Sequence, residues 1–121
     1  VMKFNKALKI WFKIHFAVDL IVALFLIFFT SWTLQLFGFV NENLVLARIV
    51  GAALLGIGGA SLFTKTKEQF EVMLNLKIIW SVSAILVLLW GIIATGNLWL
   101  WLFLAIFAVF SVVWMYYRTK K

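Results

Sequence analysis

Four long apolar runs, separated by short polar segments, dominate the hydrophobic pattern of this chain. The runs cover residues 12–36, 44–63, 70–91 and 98–117. A helix rises about 1.5 Å per residue, so about 20 apolar residues cross a hydrocarbon core of about 30 Å. The pattern therefore predicts four transmembrane helices. Short connections make successive helices antiparallel neighbours, so we expect one all-α domain, an integral membrane four-helix antiparallel bundle over residues 1–121.

The segments between the runs predict local features. The first connection, residues 31–43, is long and partly apolar, which favours a short helix lying at the membrane interface. Either Asn41 or Asn43 is a suitable N-cap for the second span. Residues 94–97, which contain Gly96, form the turn before the fourth span.

Composition narrows the possible chemistry. Hydrophobic residues make up 66% of the chain and charged residues 12%, against about 25% charged in a typical soluble domain. Without cysteine, thiolate metal sites and iron–sulfur clusters are excluded, and one histidine, His15, cannot build a bis-histidine haem site. No glycine pattern typical of a nucleophile elbow surrounds the serines. We expect no catalytic residues, no metal and no cofactor, and the chain is not expected to be an enzyme.

The basic residues predict the orientation. The formal net charge is +7, and nearly all positive residues fall on one side of the predicted topology. They are Lys3, Lys6, Lys9, Lys13, Lys65, Lys67, Lys77, Arg118, Lys120 and Lys121. Positive residues mark the cytoplasmic side, so we expect a multi-pass protein of the inner cell membrane with both termini cytoplasmic. Anionic lipid headgroups on that face are the expected partner of these charges, rather than nucleic acid.

The second span is rich in small residues. Gly51, Ala52, Gly56 and Gly59 share a broad helix face with Arg48. Small side chains let a neighbouring backbone approach closely, which fits packing within the chain, a dimer seam or a lipid groove. Arg48 lies about one turn inside the span, where it is able to snorkel to headgroups or pair with Glu42. We interpret Arg48 and Glu42 as a candidate polar site on the external side.

Ionisable residues within the spans form the other candidate site. His15 and Asp19 lie one helical turn apart in the first span, and Lys77 lies at a similar depth in the third. An isolated charge in lipid costs several kcal/mol, so Asp19 is expected to pair with Lys77. Glu71 and Asn75 lie nearer the cytoplasm, within possible reach of His15. This cluster either fixes helix register or carries a function, and both interpretations stay open.

Three segments resemble a known group of proteins. They are HFAVDL in the first span, ARIVGAALLGIGG in the second and VWMYYR at the end of the fourth. In this order they resemble small prokaryotic four-helix membrane proteins of the DoxX-like kind. Some members of that group associate with quinone-linked redox enzymes, so the resemblance implies a quinone or a partner subunit. It assigns no catalytic residue.

These observations favour a non-enzymatic membrane subunit that packs against a partner, a second copy of itself or lipid. One alternative is a subunit of an oligomeric transporter for small solutes or ions. Four helices make a narrow bundle, so a pore would need several chains. A second alternative is a quinone-associated membrane redox subunit, which rests on the resemblance and on abundant aromatic residues.

Overall fold

A computed structural model describes residues 6–39 and 43–119 of the chain. Its helices are α1 (Lys6–Phe28), α2 (Thr30–Leu36), α3 (Leu44–Leu62), α4 (Lys67–Thr95) and α5 (Trp99–Thr119). The residues described contain no β-strand. The predicted all-α fold class is therefore confirmed. The described part of the chain divides into two compact units, one over residues 6–64 and one over residues 65–119.

Four of the helices are long and apolar enough to cross a membrane. They are α1 with 23 residues, α3 with 19, α4 with 29 and α5 with 21. At about 1.5 Å per residue the shortest reaches about 28 Å and the longest about 44 Å. The predicted third span, residues 70–91, is the central part of α4, which extends beyond it at both ends.

The first unit is a hairpin in which α1 and α3 run antiparallel. A Cβ built on Gly51 would contact Ala23, Leu26 and Ile27, whereas one built on Gly58 would contact Asp19, nearer the start of α1. The buried residues of both helices recur at three- and four-residue spacing, as expected of a packed helix pair. They are Leu8, Phe12, His15, Asp19 and Ala23 in α1, and Gly51, Leu54, Gly58 and Ser61 in α3.

The first predicted span is interrupted. The apolar pattern runs to residue 36, but α1 ends at Phe28 and Phe29 leaves the helical conformation, with φ −123° and ψ 46°. The Thr30 hydroxyl donates to the carbonyl of Leu26 at 2.6 Å, and the Thr33 hydroxyl donates to that of Phe25 at 3.2 Å. These hydroxyls bind carbonyls of the last turn of α1, which lets a new helix start. A short helix in this part of the chain was expected, and α2 confirms it.

Asn43 starts α3. Its side-chain oxygen accepts hydrogen bonds from the backbone N–H groups of Val45 at 2.9 Å and Leu46 at 3.2 Å. Such an N-cap satisfies donors that have no partner within the helix. Of the two expected caps, Asn43 is confirmed, and Asn41 lies outside the described residues.

The second unit is a hairpin of α4 and α5, which also run antiparallel. Two contacts define how the helices are aligned. Trp80 packs edge-on against Phe107 with ring centroids 5.9 Å apart, and Asn75 accepts a hydrogen bond from Arg118 at 2.9 Å. Thr66 and Gln69 form a capping box at the start of α4. In this box each side chain accepts from a backbone N–H of the other residue, which was not predicted.

Gly96 ends α4 in the left-handed conformation, with φ 69°, and its N–H donates to the Ile92 carbonyl at 2.9 Å. Gly96→Ala is expected to lower the free energy of unfolding by about 1 kcal/mol, because a Cβ is strained at positive φ. Gly96→Asn should cost less, since asparagine tolerates this conformation. Denaturant unfolding of the purified protein, followed by helical circular dichroism, measures both. Equal stability of the alanine variant and the native protein would contradict the expectation.

Candidate functional site

The first buried polar group lies on α1. Because His15 and Asp19 are four residues apart, they lie on the same face, and His15 Nε2 is 3.3 Å from Asp19 Oδ2. Both residues are buried, at 3% and 6% exposure. The expectation that these residues share a face is confirmed.

Gly58 of α3 makes room for Asp19. A Cβ built on Gly58 would lie 2.7 Å from Asp19 Cβ, closer than real Cβ atoms approach, and 3.1 Å from Asp19 Oδ2, which is a tight contact. Gly58 is therefore the position that lets α3 pass over the carboxylate. Sequence reasoning missed Gly58, although it lies three and four residues from other buried positions of α3. That spacing is the signal that identifies it.

The other small residues of α3 divide into two faces. Gly51 is buried at the α1 contact, so packing within the chain is confirmed for this glycine. Ala52 and Gly56 are exposed, and a Cβ on Gly56 or Gly59 would meet nothing within 4 Å in the described part of the chain. Within the first hairpin, Gly56 and Gly59 therefore do not contact α1, because at about 100° per residue Gly56 lies roughly opposite Gly58. For these two glycines, packing elsewhere in the chain, a dimer seam and a lipid groove all stay open.

A second buried polar group lies in the α4–α5 hairpin. Lys77 is 0% exposed, and its Nζ lies 5.0 Å from the centroid of the Trp114 ring, which is a cation–π distance. Trp114 is itself 1% exposed and stacks on Phe110 at 5.6 Å. Ser81 and Ser111 are also buried, so polar side chains of both helices lie in this hairpin interior. The expected inward orientation of Lys77 is confirmed by its burial, whereas Trp114 was not predicted as its neighbour.

Two further predicted members of the intramembrane cluster, Asn75 and Glu71, lie on α4, and their expected proximity to His15 stays a prediction. Asn75 is exposed and accepts a hydrogen bond from Arg118 Nε. Glu71, one turn earlier, is half-buried. Sequence reasoning missed Arg118 as the partner of Asn75. The ion pair expected between Asp19 and Lys77 stays a prediction.

Arg48 contacts the start of α2. Its Nε donates to the Thr30 hydroxyl at 3.2 Å, and that hydroxyl in turn donates to the Leu26 carbonyl at 2.6 Å. Thr30 is 3% exposed, whereas Arg48 is exposed. The expected partner Glu42 lies outside the described residues, so its pairing with Arg48 stays a prediction.

No group of three or more histidine, cysteine, aspartate or glutamate residues that could hold a metal ion occurs in residues 6–39 and 43–119. No family model, no curated protein and no solved structure matches this chain. The four long apolar helices nevertheless define a class, that of multi-pass membrane proteins.

Proposed function

We propose that the protein is a non-enzymatic membrane subunit that binds a helix of another membrane chain through one face of α3. We call this face, formed by Ala52, Gly56 and Gly59, the small-residue face. Its members recur at four- and three-residue spacing and lie roughly opposite the contact with α1. The observation that carries the proposal is the open space beside Gly56 and Gly59, where an added Cβ meets nothing within 4 Å among the described residues.

The physical basis is the way helices associate in lipid. Hydrophobic burial does not drive association there, because lipid tails are as apolar as leucine. Close backbone contact supplies the attraction instead, and small residues permit it. The opposite side of α3 already packs closely against α1 in this way, because Gly51 and Gly58 leave space for Ile27 and Asp19. A partner helix seated on the small-residue face would repeat that packing on the other side of α3.

We also propose that the protein lies in the inner cell membrane with both termini cytoplasmic. Lys6, Lys9 and Lys13 are exposed on the first turns of α1, and Lys65 is exposed between α3 and α4. Positive residues favour the cytoplasmic side. There each basic residue near the surface contributes about 1 kcal/mol of attraction to anionic lipid headgroups.

Leucine substitutions on the small-residue face test the proposed association. Gly56→Leu and Gly59→Leu should shift the purified protein in lipid nanodiscs toward the single-chain mass, or release a copurifying membrane protein, because the larger side chain separates the backbones. Ala105→Leu, which enlarges an exposed small residue of α5, is the matched control and should change nothing. Native mass spectrometry measures the mass and the bound components.

Native mass spectrometry also gives the result that would contradict the proposed association. A native protein that is a single chain without any protein partner would refute the proposal. Copurification of a quinone with that single chain would favour the quinone-associated alternative instead. Circular dichroism of the leucine variants shows whether each remains helical, so a failure to fold is not mistaken for a loss of association.

A further inference from the structure

We infer that Arg48 and Thr30 form a binding site for the phosphate group of a phospholipid at the end of the first hairpin where α1 meets α2. Arg48 lies one helical turn before Ala52, but this inference does not rest on the small-residue face, because the hydrogen bond from Arg48 to Thr30 carries it. It rests on how the guanidinium group is held and on which of its donors stay available.

The guanidinium is fixed through one nitrogen. Arg48 Nε donates to the Thr30 hydroxyl at 3.2 Å, and Thr30 donates onward to the Leu26 carbonyl at 2.6 Å. Because Thr30 is buried and hydrogen-bonded to the last turn of α1, it holds the Arg48 side chain in one orientation. Within residues 6–39 and 43–119, Arg48 makes no other hydrogen bond or ion pair. The predicted partner Glu42 lies outside these residues and would compete with a ligand for the same donors.

The remaining donors suit a phosphate group. A guanidinium carries five N–H donors in a plane, and occupation of Nε leaves the two terminal nitrogens on one edge. That edge matches two oxygens of a phosphate in a bidentate pair, which a lysine ammonium cannot reproduce. With the Nε bond fixing its orientation, the arginine loses less side-chain freedom when it binds.

The position of Arg48 favours a lipid as the source of the phosphate. Arg48 is exposed and lies only four residues after the first residue of α3, so about one helical turn separates it from the end of an apolar helix. At this depth arginine side chains extend toward the headgroup layer. The phosphate of a phospholipid lies in that layer whatever the net charge of its headgroup.

Titration of the full-length protein in detergent with a short-chain phosphatidylcholine, followed by native mass spectrometry, tests the inference. This zwitterionic probe separates phosphate binding from general attraction to anionic lipid. Arg48→Lys keeps the charge but loses the bidentate edge, so affinity should fall about tenfold. Thr30→Val should weaken binding about threefold by freeing the guanidinium, whereas Thr30→Ser, which keeps the hydroxyl, should bind as the native protein does. Lys9→Gln, a basic residue elsewhere on α1, is the control and should leave the affinity unchanged.

Three outcomes would overturn the inference. Equal affinity of Arg48→Lys and the native protein would show that charge alone attracts the lipid. Equal binding of a diacylglycerol, which has no phosphate, would show that the acyl chains are recognised. Binding of inorganic phosphate with the same dependence on Arg48, but no binding of phosphatidylcholine, would assign the site to soluble phosphate. Thermal unfolding of each variant confirms that the hairpin is intact.

Discussion

Gly58→Ala is expected to lower the free energy of unfolding by about 1–3 kcal/mol, the usual cost of overpacking a close contact. The new Cβ would lie 2.7 Å from Asp19 Cβ and 3.1 Å from its carboxylate oxygen. Because rotation of the Asp19 side chain does not move its Cβ, the backbones of α1 and α3 must separate. This separation loosens the packing over the buried contact between His15 and Asp19. Denaturant unfolding in detergent micelles, followed by helical circular dichroism, measures the loss.

Gly59→Ala is the matched control for this substitution. It adds the same methyl group to the next residue of α3, where nothing described lies within 4 Å of the new atom. Alanine is the better helix former by about 1 kcal/mol, so stability should stay equal or rise. A similar loss in both variants would show that α3 tolerates neither change and that the contact with Asp19 is not the cause.

Trp114→Leu is expected to have a larger effect, a loss of about 3 kcal/mol, at the lower end of the cost of truncating a buried tryptophan to alanine, because leucine refills part of the space. The ring is 1% exposed, stacks on Phe110 and lies 5.0 Å from Lys77 Nζ. Removing it opens a cavity and takes the cation–π contact from a buried lysine. Trp114→Phe keeps an aromatic face and should lose less. The same unfolding measurement ranks the variants.

Trp101→Leu serves as the control on the same helix, because Trp101 is 52% exposed. Its substitution should change the free energy of unfolding by no more than about 0.5 kcal/mol. If Trp114→Phe were as unstable as Trp114→Leu, the aromatic face would contribute nothing to holding Lys77. If Trp101→Leu were as damaging as either, the assignment of the buried face of α5 would be wrong.

Much of the fold follows from the sequence, because apolar runs of spanning length and short polar connections are unambiguous signals. The cap at Asn43 and the inward orientation of Lys77 follow in the same way from local rules. The break at Phe29 does not, since apolar residues continue on both sides of it. It depends on Thr30 and Thr33, whose hydroxyls bind carbonyls of the preceding helix.

The candidate sites were less predictable. Because α3 carries small residues on several faces, its pattern alone does not say which face contacts α1. That choice depends on α1, which presents Asp19 and Ala23 to Gly58 and Gly51. The hydrogen bond from Arg118 to Asn75 could not be predicted from the sequence for a different reason. Its two residues are 43 positions apart, so only the register of the α4–α5 hairpin brings them together.

The central claim, that four helices cross the membrane and leave both termini in the cytoplasm, is tested most directly by cysteine labelling. The chain contains no cysteine, so a single cysteine introduced at Asn43, Thr66 or Asn97 is the only thiol of the protein that a reagent can label. An impermeant thiol reagent applied to intact cells should label positions 43 and 97, and should label position 66 only after the membrane is permeabilised. Labelling of position 66 but not of 43 and 97 in intact cells would contradict the orientation, and labelling of all three would contradict the crossing itself.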